Sequence, residues 1–132
     1  MALILVVDDE VEVGEAIRRV LDRAGFAVVV AHGVSEGLAA AETQQPDIVV
    51  TDMIMPKANG IELIKALRSR HPRVRVIAIS GGGSFGLHSY KPEAIKTHAY
   101  LAAAREAGAE EVLTKPFDMN DLLAAVRRRL PN

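Results

Sequence analysis

Five residues of this chain stand where the sequence changes from apolar to polar: Asp8, Asp9, Asp52, Ser80 and Lys115. Each ends or directly follows a short apolar run. If those runs are parallel strands, their C-terminal ends emerge on one rim, which is where open α/β sheets bind ligands. Any one acid in such a place is usually a cap or a solvated turn residue. Three acids, a hydroxyl and a lysine converging from distant parts of the sequence are harder to dismiss. Clustered carboxylates repel one another and recruit a cation, and all-oxygen ligation with room for waters suits Mg²⁺. On this reading Asp9 and Asp52 bind the metal directly and Asp8 acts through water. A carboxylate held beside such a metal can attack phosphorus and form an aspartyl-phosphate. Lys115 then supplies positive charge to the phosphoryl oxygens and Ser80 a hydrogen-bond donor. No general base is needed, because the nucleophile is already ionised.

The elements that must position these groups can be read from the pattern. Apolar runs of strand length at Leu3–Val7, Phe26–Ala31, Asp47–Thr51, Val74–Ile79 and Val112–Thr114 alternate with segments of helical period. Nearly continuous Val and Ile is the mark of strands covered on both faces, and the alternation argues for parallel strands with crossover helices. Val13, Ile17, Val20 and Leu21 share a face of a first helix, ended by Gly25. Val34, Leu38 and Ala41 mark a second, stopped before Pro46. A third carries Ile61, Leu63, Ile64 and Leu67 and runs to His71-Pro72. The last begins near Asp118, a suitable N-cap, and carries Leu122, Leu123, Val126 and Leu130. No repeat or low-complexity tract divides the pattern, so residues 1–132 read as one domain.

Composition narrows the function classes. The 132 residues are 49% hydrophobic and 25% charged with a formal net charge of −1, which describes a globular chain without a basic field for nucleic acid. The one basic cluster, Arg127-Arg128-Arg129, reads as a solvated last helical turn, where cations suit the dipole. The absence of cysteine removes disulfides, thiolate metal sites and cysteine nucleophiles. No apolar run reaches the roughly 20 residues that span a bilayer, and Met1 leads straight into a strand-length run without a leader's charged front. The expectation is a cytoplasmic protein with no membrane partner.

Val7-Asp8-Asp9-Glu10, Asp52-Met53-Ile54-Met55-Pro56 with Gly60, Ser80, and Lys115-Pro116-Phe117 together resemble the receiver domain of two-component signalling. The resemblance runs from end to end and keeps every motif in order. It implies a flavodoxin-like, doubly wound five-stranded parallel sheet in the order 2-1-3-4-5. It also implies that Asp52 is the phosphoacceptor, Asp8 and Asp9 the acidic pair, and Ser80 and Lys115 the phosphate-sensing residues. The main-chain carbonyl of Ile54 would be a further Mg²⁺ ligand, and the Lys115-Pro116 bond would be cis. The donor implied is a phosphohistidine on a histidine kinase or histidine phosphotransfer protein. With only Pro131-Asn132 after the last helix, the chain reads as a stand-alone module, monomeric or weakly dimeric. It would signal to a downstream protein by contact rather than by turnover as an enzyme.

Two departures from the receiver pattern stand out. The position three before the lysine, commonly Tyr or Phe, is Val112, so the usual aromatic switch cannot operate. Between Ser80 and Lys115 lie 34 residues, where one helix, two short loops and the start of a strand need roughly 20 to 26. The excess falls on Gly81-Gly82-Gly83-Ser84-Phe85-Gly86 and just beyond, a run that matches no phosphate-binding glycine motif. A helix from about Pro92 to Gly108 follows, rich in alanine, with Ile95 and Leu101 its only large aliphatic residues. So little apolar area predicts weak attachment to the sheet, making this β4–α4 region, counted in the receiver's own order, the part expected to rearrange on phosphorylation. His88, Tyr90, His98 and Tyr100 lie there and are ordinary surface residues unless a partner covers them.

Two other readings compete. A phosphatase with an aspartate nucleophile would place its two acids as Asp-x-Asp after one strand, but Asp8 and Asp9 are adjacent and Ile54 stands two past Asp52. A degenerate receiver that binds without phosphorylation would lack the acceptor, an acid or the lysine, and all are present.

Overall fold

The computed structural model describes residues 2–55, 58–80, 102–114 and 117–130. The glycine run, the proposed helix start at Pro92, both tyrosines, His88, His98 and Lys115-Pro116 with its expected cis bond lie outside these residues. The elements are β1 (Leu3–Val7), α1 (Val11–Arg23), β2 (Ala27–Ala31), α2 (Val34–Gln44), β3 (Ile48–Asp52), β4 (Ile54–Met55), β5 (Ala58–Asn59), α3 (Gly60–Arg70) and β6 (Arg75–Ser80). A helical stretch over residues 102–107, α4, precedes β7 (Glu111–Thr114) and α5 (Met119–Arg129).

Five strands form one sheet in the order β2-β1-β3-β6-β7, every neighbouring pair parallel. Leaving aside the small hairpin, this is the order 2-1-3-4-5 that the resemblance implied. Alternation along the strands divides the core. Leu5, Val7, Val49, Val76 and Ala78 point to the face covered by α2, α3 and α4. Ile4, Val6, Ile48, Val50, Ile77 and Ile79 point to the face covered by α1 and α5. Because both faces are buried, a one-residue register slip would exchange the two sets, which pins each strand lengthwise. Burial at about 25 cal/mol per Å² of apolar surface is thus what holds the strand ends, and their side chains, in one plane.

Helix ends follow the local chemistry that the sequence displays. Gly25 has φ 98° just after α1. Asp118 caps α5: its carboxylate accepts from the Asn120 amide at 2.8 Å, while Asp121 returns a bond to the Asp118 amide, a capping box. Two features were not expected. The antiparallel β4–β5 hairpin, pairing Ile54 with Asn59 and Met55 with Ala58, lies directly between the third strand and its helix. The other concerns α4, expected to be loosely held. Its C-terminal end is fastened: Arg68 on α3 donates from Nε to the Gly108 carbonyl at 3.0 Å and pairs through Nη2 with Glu110. Gly108 is at φ 128°, and a Cβ there would meet the Arg68 side chain at 2.5 Å, so only glycine lets the turn lie this close. Ala104 and Ala109 are buried beside it, small enough to bring α4 down onto the α3 side of the core.

Candidate functional site

The rim at the C-terminal ends of the strands is assembled from β1, β3 and β6. Val7 pairs with Thr51, and Asp52 with Ile79, so the residues that follow β1 and end β3 arrive side by side. One carboxylate oxygen from each of Asp8, Asp9 and Asp52 lies within 4.8 Å of the others. Asp8 is 1% and Asp52 4% exposed. The structure therefore brings together the three acids that the sequence marked, and buries two of them.

Main-chain contacts hold the turn at Asp8 and the end of β3 at Asp52. The Asp8 amide donates to the Ala31 carbonyl at 3.0 Å, continuing the β1–β2 ladder by one residue. Its side-chain Oδ1 accepts from the Glu10 amide at 2.8 Å, a turn in which an Asp side chain stands in for a backbone acceptor. That turn carries Asp9 and feeds directly into α1. Asp52 is fixed from both sides. Met53 donates to the Ile79 carbonyl at 2.9 Å, tying the end of β3 to β6, and Gly60 donates to the Met53 carbonyl at 3.0 Å, tying it to the start of α3. Thr51 adds a hydroxyl bond to the Asp52 carbonyl at 3.0 Å.

Gly60 explains why the third helix can start so close. A Cβ there would lie 2.5 Å from the Asp52 carbonyl oxygen and 3.0 Å from Met53 Cα. Both obstacles are backbone, so nothing could swing aside. The Asp52…Gly60 spacing that the sequence shows is therefore a packing requirement of the Asp52 turn.

Ile54 follows Asp52 by two residues and opens β4. Ser80 ends β6 with its backbone paired to Thr114, so the hydroxyl-bearing residue and the end of β7 reach the same rim. Lys115, next in sequence after Thr114, lies outside the described residues. Val112 stands in β7 opposite Ala78 and packs, partly buried, against the core on the α3 side. It is the strand residue that its type suggests.

Charge is handled differently at the far ends of the strands. Glu111 at the start of β7 meets Arg128 at 2.9 Å and Arg129 at 3.1 Å. The Arg128 hydrogen bond, against a smaller opposing effect of burial and helped by both guanidinium charges, holds the Glu111 carboxyl below its ordinary range. Two of the three arginines read as a solvated helical turn are thus anchors of α5. A cleft of about 720 Å³ opens at that edge between Pro46, Leu67, His71 and Val74, away from the carboxylates.

As a donor set the rim fits a hard divalent cation. Three carboxylates gathered at this distance, two of them buried, are a set of hard oxygen donors whose mutual repulsion a cation would relieve. Sequence reasoning missed one neighbour. His32, just past β2, has its Nδ1 3.2 Å from the Asp8 carbonyl oxygen.

Comparison with known proteins agrees with this geometry. Residues 4–127 match the family model described as the response regulator receiver domain. The acid tolerance regulatory protein ActR of Rhizobium meliloti is 32% identical over 96% of this chain and 58% of its own length. The response regulator MprA of Mycobacterium avium is 33% identical over 96% of this chain and 50% of its own. The chain thus spans about half the length of these curated relatives. Among solved structures, a response regulator receiver domain from Clostridium thermocellum superposes with TM-score 0.78 at 32% identity, covering 98% of this chain and 94% of that one. A CheY-like receiver from Methanospirillum hungatei superposes with TM-score 0.79 at 23% identity, covering 98% of this chain and 93% of that one, a likeness of fold alone.

Proposed function

The chain belongs to the response regulator receiver family, and from that premise we propose that residues 1–132 form one phosphoacceptor domain in which Asp52 takes a phosphoryl group from a phosphohistidine. The observation that carries this reading is the gathering of Asp8, Asp9 and Asp52 within 4.8 Å on the rim where β1 and β3 end. The Asp52 carboxylate oxygen forms the new P–O bond as the P–N bond of the donor breaks, the imidazole leaving with the bonding pair. The work of the protein is to place that oxygen. The bonds from Met53 and Gly60, and the absence of a side chain at Gly60, keep the end of β3 in one position, so the nucleophile is presented without reorganisation.

Asp8, Asp9 and Asp52, with the Ile54 carbonyl, would hold Mg²⁺, which when bound neutralises charge between the carboxylates and the incoming phosphoryl group. Lys115 and Ser80 would meet the phosphoryl oxygens. The donor is a histidine kinase or histidine phosphotransfer protein, and the output is contact with a further protein rather than turnover of a small substrate. No described helix is long and apolar enough to cross a membrane.

With Val112 in place of an aromatic, the phosphorylated state must be communicated by some route other than a ring turning inward. The region between β6 and α4 is the proposed route.

Incubation with Mg²⁺ and acetyl phosphate, read by intact mass, tests the acceptor directly. One added phosphoryl group on the parent and none on Asp52→Asn is expected. No adduct on the parent, while a beryllofluoride control shows no acyl-phosphate mimic either, would leave the unphosphorylated binding module as the better account.

A further inference from the structure

The acid pair depends on a peptide whose orientation nothing in β1 alone can set. The β1–β2 ladder ends with Val7 opposite Ala31 and one more bond, from the Asp8 amide to the Ala31 carbonyl at 3.0 Å. Beyond Ala31 the chain turns away: Gly33 is fully extended and α2 begins at Val34. The next acceptor in the ladder is the Asp8 carbonyl, one residue past the last β1–β2 pair. His32 lies beside it, its Nδ1 3.2 Å from that oxygen. A carbonyl can only accept, so this contact is a hydrogen bond only with the proton on Nδ1. The backbone of His32 is itself anchored, its amide donating to Glu36 Oε1 in the first turn of α2 at 3.1 Å.

We propose that His32 is a positioning residue for the acid pair, its imidazole clamping the Asp8–Asp9 peptide so that the Asp9 carboxylate faces those of Asp8 and Asp52. The role in metal binding rests on the phosphoacceptor reading, whereas the clamp itself does not. The turn is held at two points, the Asp8 carbonyl of that peptide by His32 and the Asp8 carboxylate by the Glu10 amide of the next one at 2.8 Å. Rotation of that peptide would swing Asp9 off the rim while leaving Asp8 in the sheet. Both the neutral Nδ1–H tautomer and the imidazolium donate at Nδ1, so the clamp holds in either charge state.

Two measurements test it. Long-range ¹⁵N NMR on the metal-free protein should show neutral His32 with its proton on Nδ1, whereas an unconstrained histidine carries it mainly on Nε2; an Nε2–H tautomer overturns the clamp before any metal is added. Mg²⁺ calorimetry on the parent, His32→Ala and His32→Asn should then show a Kd raised about threefold to tenfold in the alanine variant. Asparagine, whose amide can donate from nearly the same place, should recover most of that loss, with the melting temperatures of the variants alike. Equal Kd values in parent and His32→Ala would refute positioning. If the parent itself takes up no Mg²⁺, the acceptor reading fails, and the Asp9 and Glu10 amide resonances decide the clamp alone: displaced in His32→Ala they support it, unmoved they refute it.

Discussion

The two edges of the central sheet hold the same kinds of residue in opposite arrangements. At the C-terminal edge Asp8, Asp9 and Asp52 bring like charges within 4.8 Å, two of them buried. At the N-terminal edge Glu110 and Glu111 are each matched with cations. Glu110 accepts from Arg68 of α3, from Arg75 at 3.2 Å and from the Val76 amide at 2.9 Å, while Glu111 takes Arg128 and Arg129 of α5. Carboxylates gathered on one rim form a set of oxygen donors that could hold a cation, whereas complementary charges at the base tie helices to the strands. The apolar strands between keep the two arrangements apart. The described end of α4, nearest Gly108, belongs with the matched edge, because Arg68 ties it to α3.

Neutralising a charge should therefore be read differently at the two edges, in folding stability at the base and in the response to a cation at the rim. The largest effect is expected at the matched edge. Arg68→Ala removes one of the two guanidinium partners of a Glu110 side chain only 22% exposed and frees the Gly108 and Pro72 carbonyls, costing about 2 kcal/mol in urea unfolding. The same deletion takes away the side chain that an alanine at 108 would strike. Gly108→Ala should thus cost less in the Arg68→Ala background than in the parent, and strict additivity would break the proposed brace. At the rim Asp52→Asn should abolish the extra stability expected from added Mg²⁺. A rise in melting temperature with Mg²⁺ that survives in Asp52→Asn would take Asp52 out of the cation site, and the contrast would fall.

The smallest effect concerns pH. The folded Glu111 carboxyl is held below its ordinary value, chiefly by its hydrogen bond to Arg128. Its contribution is therefore present above the unfolded carboxylate value and lost as pH falls through the folded one. Melting temperatures followed from neutral to acid pH should fall more steeply in the parent than in Glu111→Gln, through that window only. Parallel curves would place the Arg128 and Arg129 contacts among surface pairs that add nothing measurable.

What could be read beforehand was what local chemistry writes into short stretches. Strand-length Val and Ile runs located β1, β2, β3, β6 and β7 to within about a residue. Asp118 announced its helix, because a cap and its box are satisfied within four residues. The hairpin of β4 and β5 escaped, since strands of two residues show no period. Arg68 and Glu110 escaped for a different reason: they are 42 residues apart, and each alone looks like a solvated surface charge. His32 gave no signal beyond its position after a strand. The bond it makes depends on where β2 leaves the sheet.

The sequence by itself determined the class of fold, the identities of the acids and the edge they must share, because parallel strands put all their C-terminal ends on one side and the residues there are written in order. Only the tertiary structure decided the distances between those acids, the close approach that forbids a side chain at Gly60, and which charges at the other edge find partners. Those depend on how separate segments pack in three dimensions, and a contact between residues far apart in the chain leaves no mark on either one's immediate neighbours.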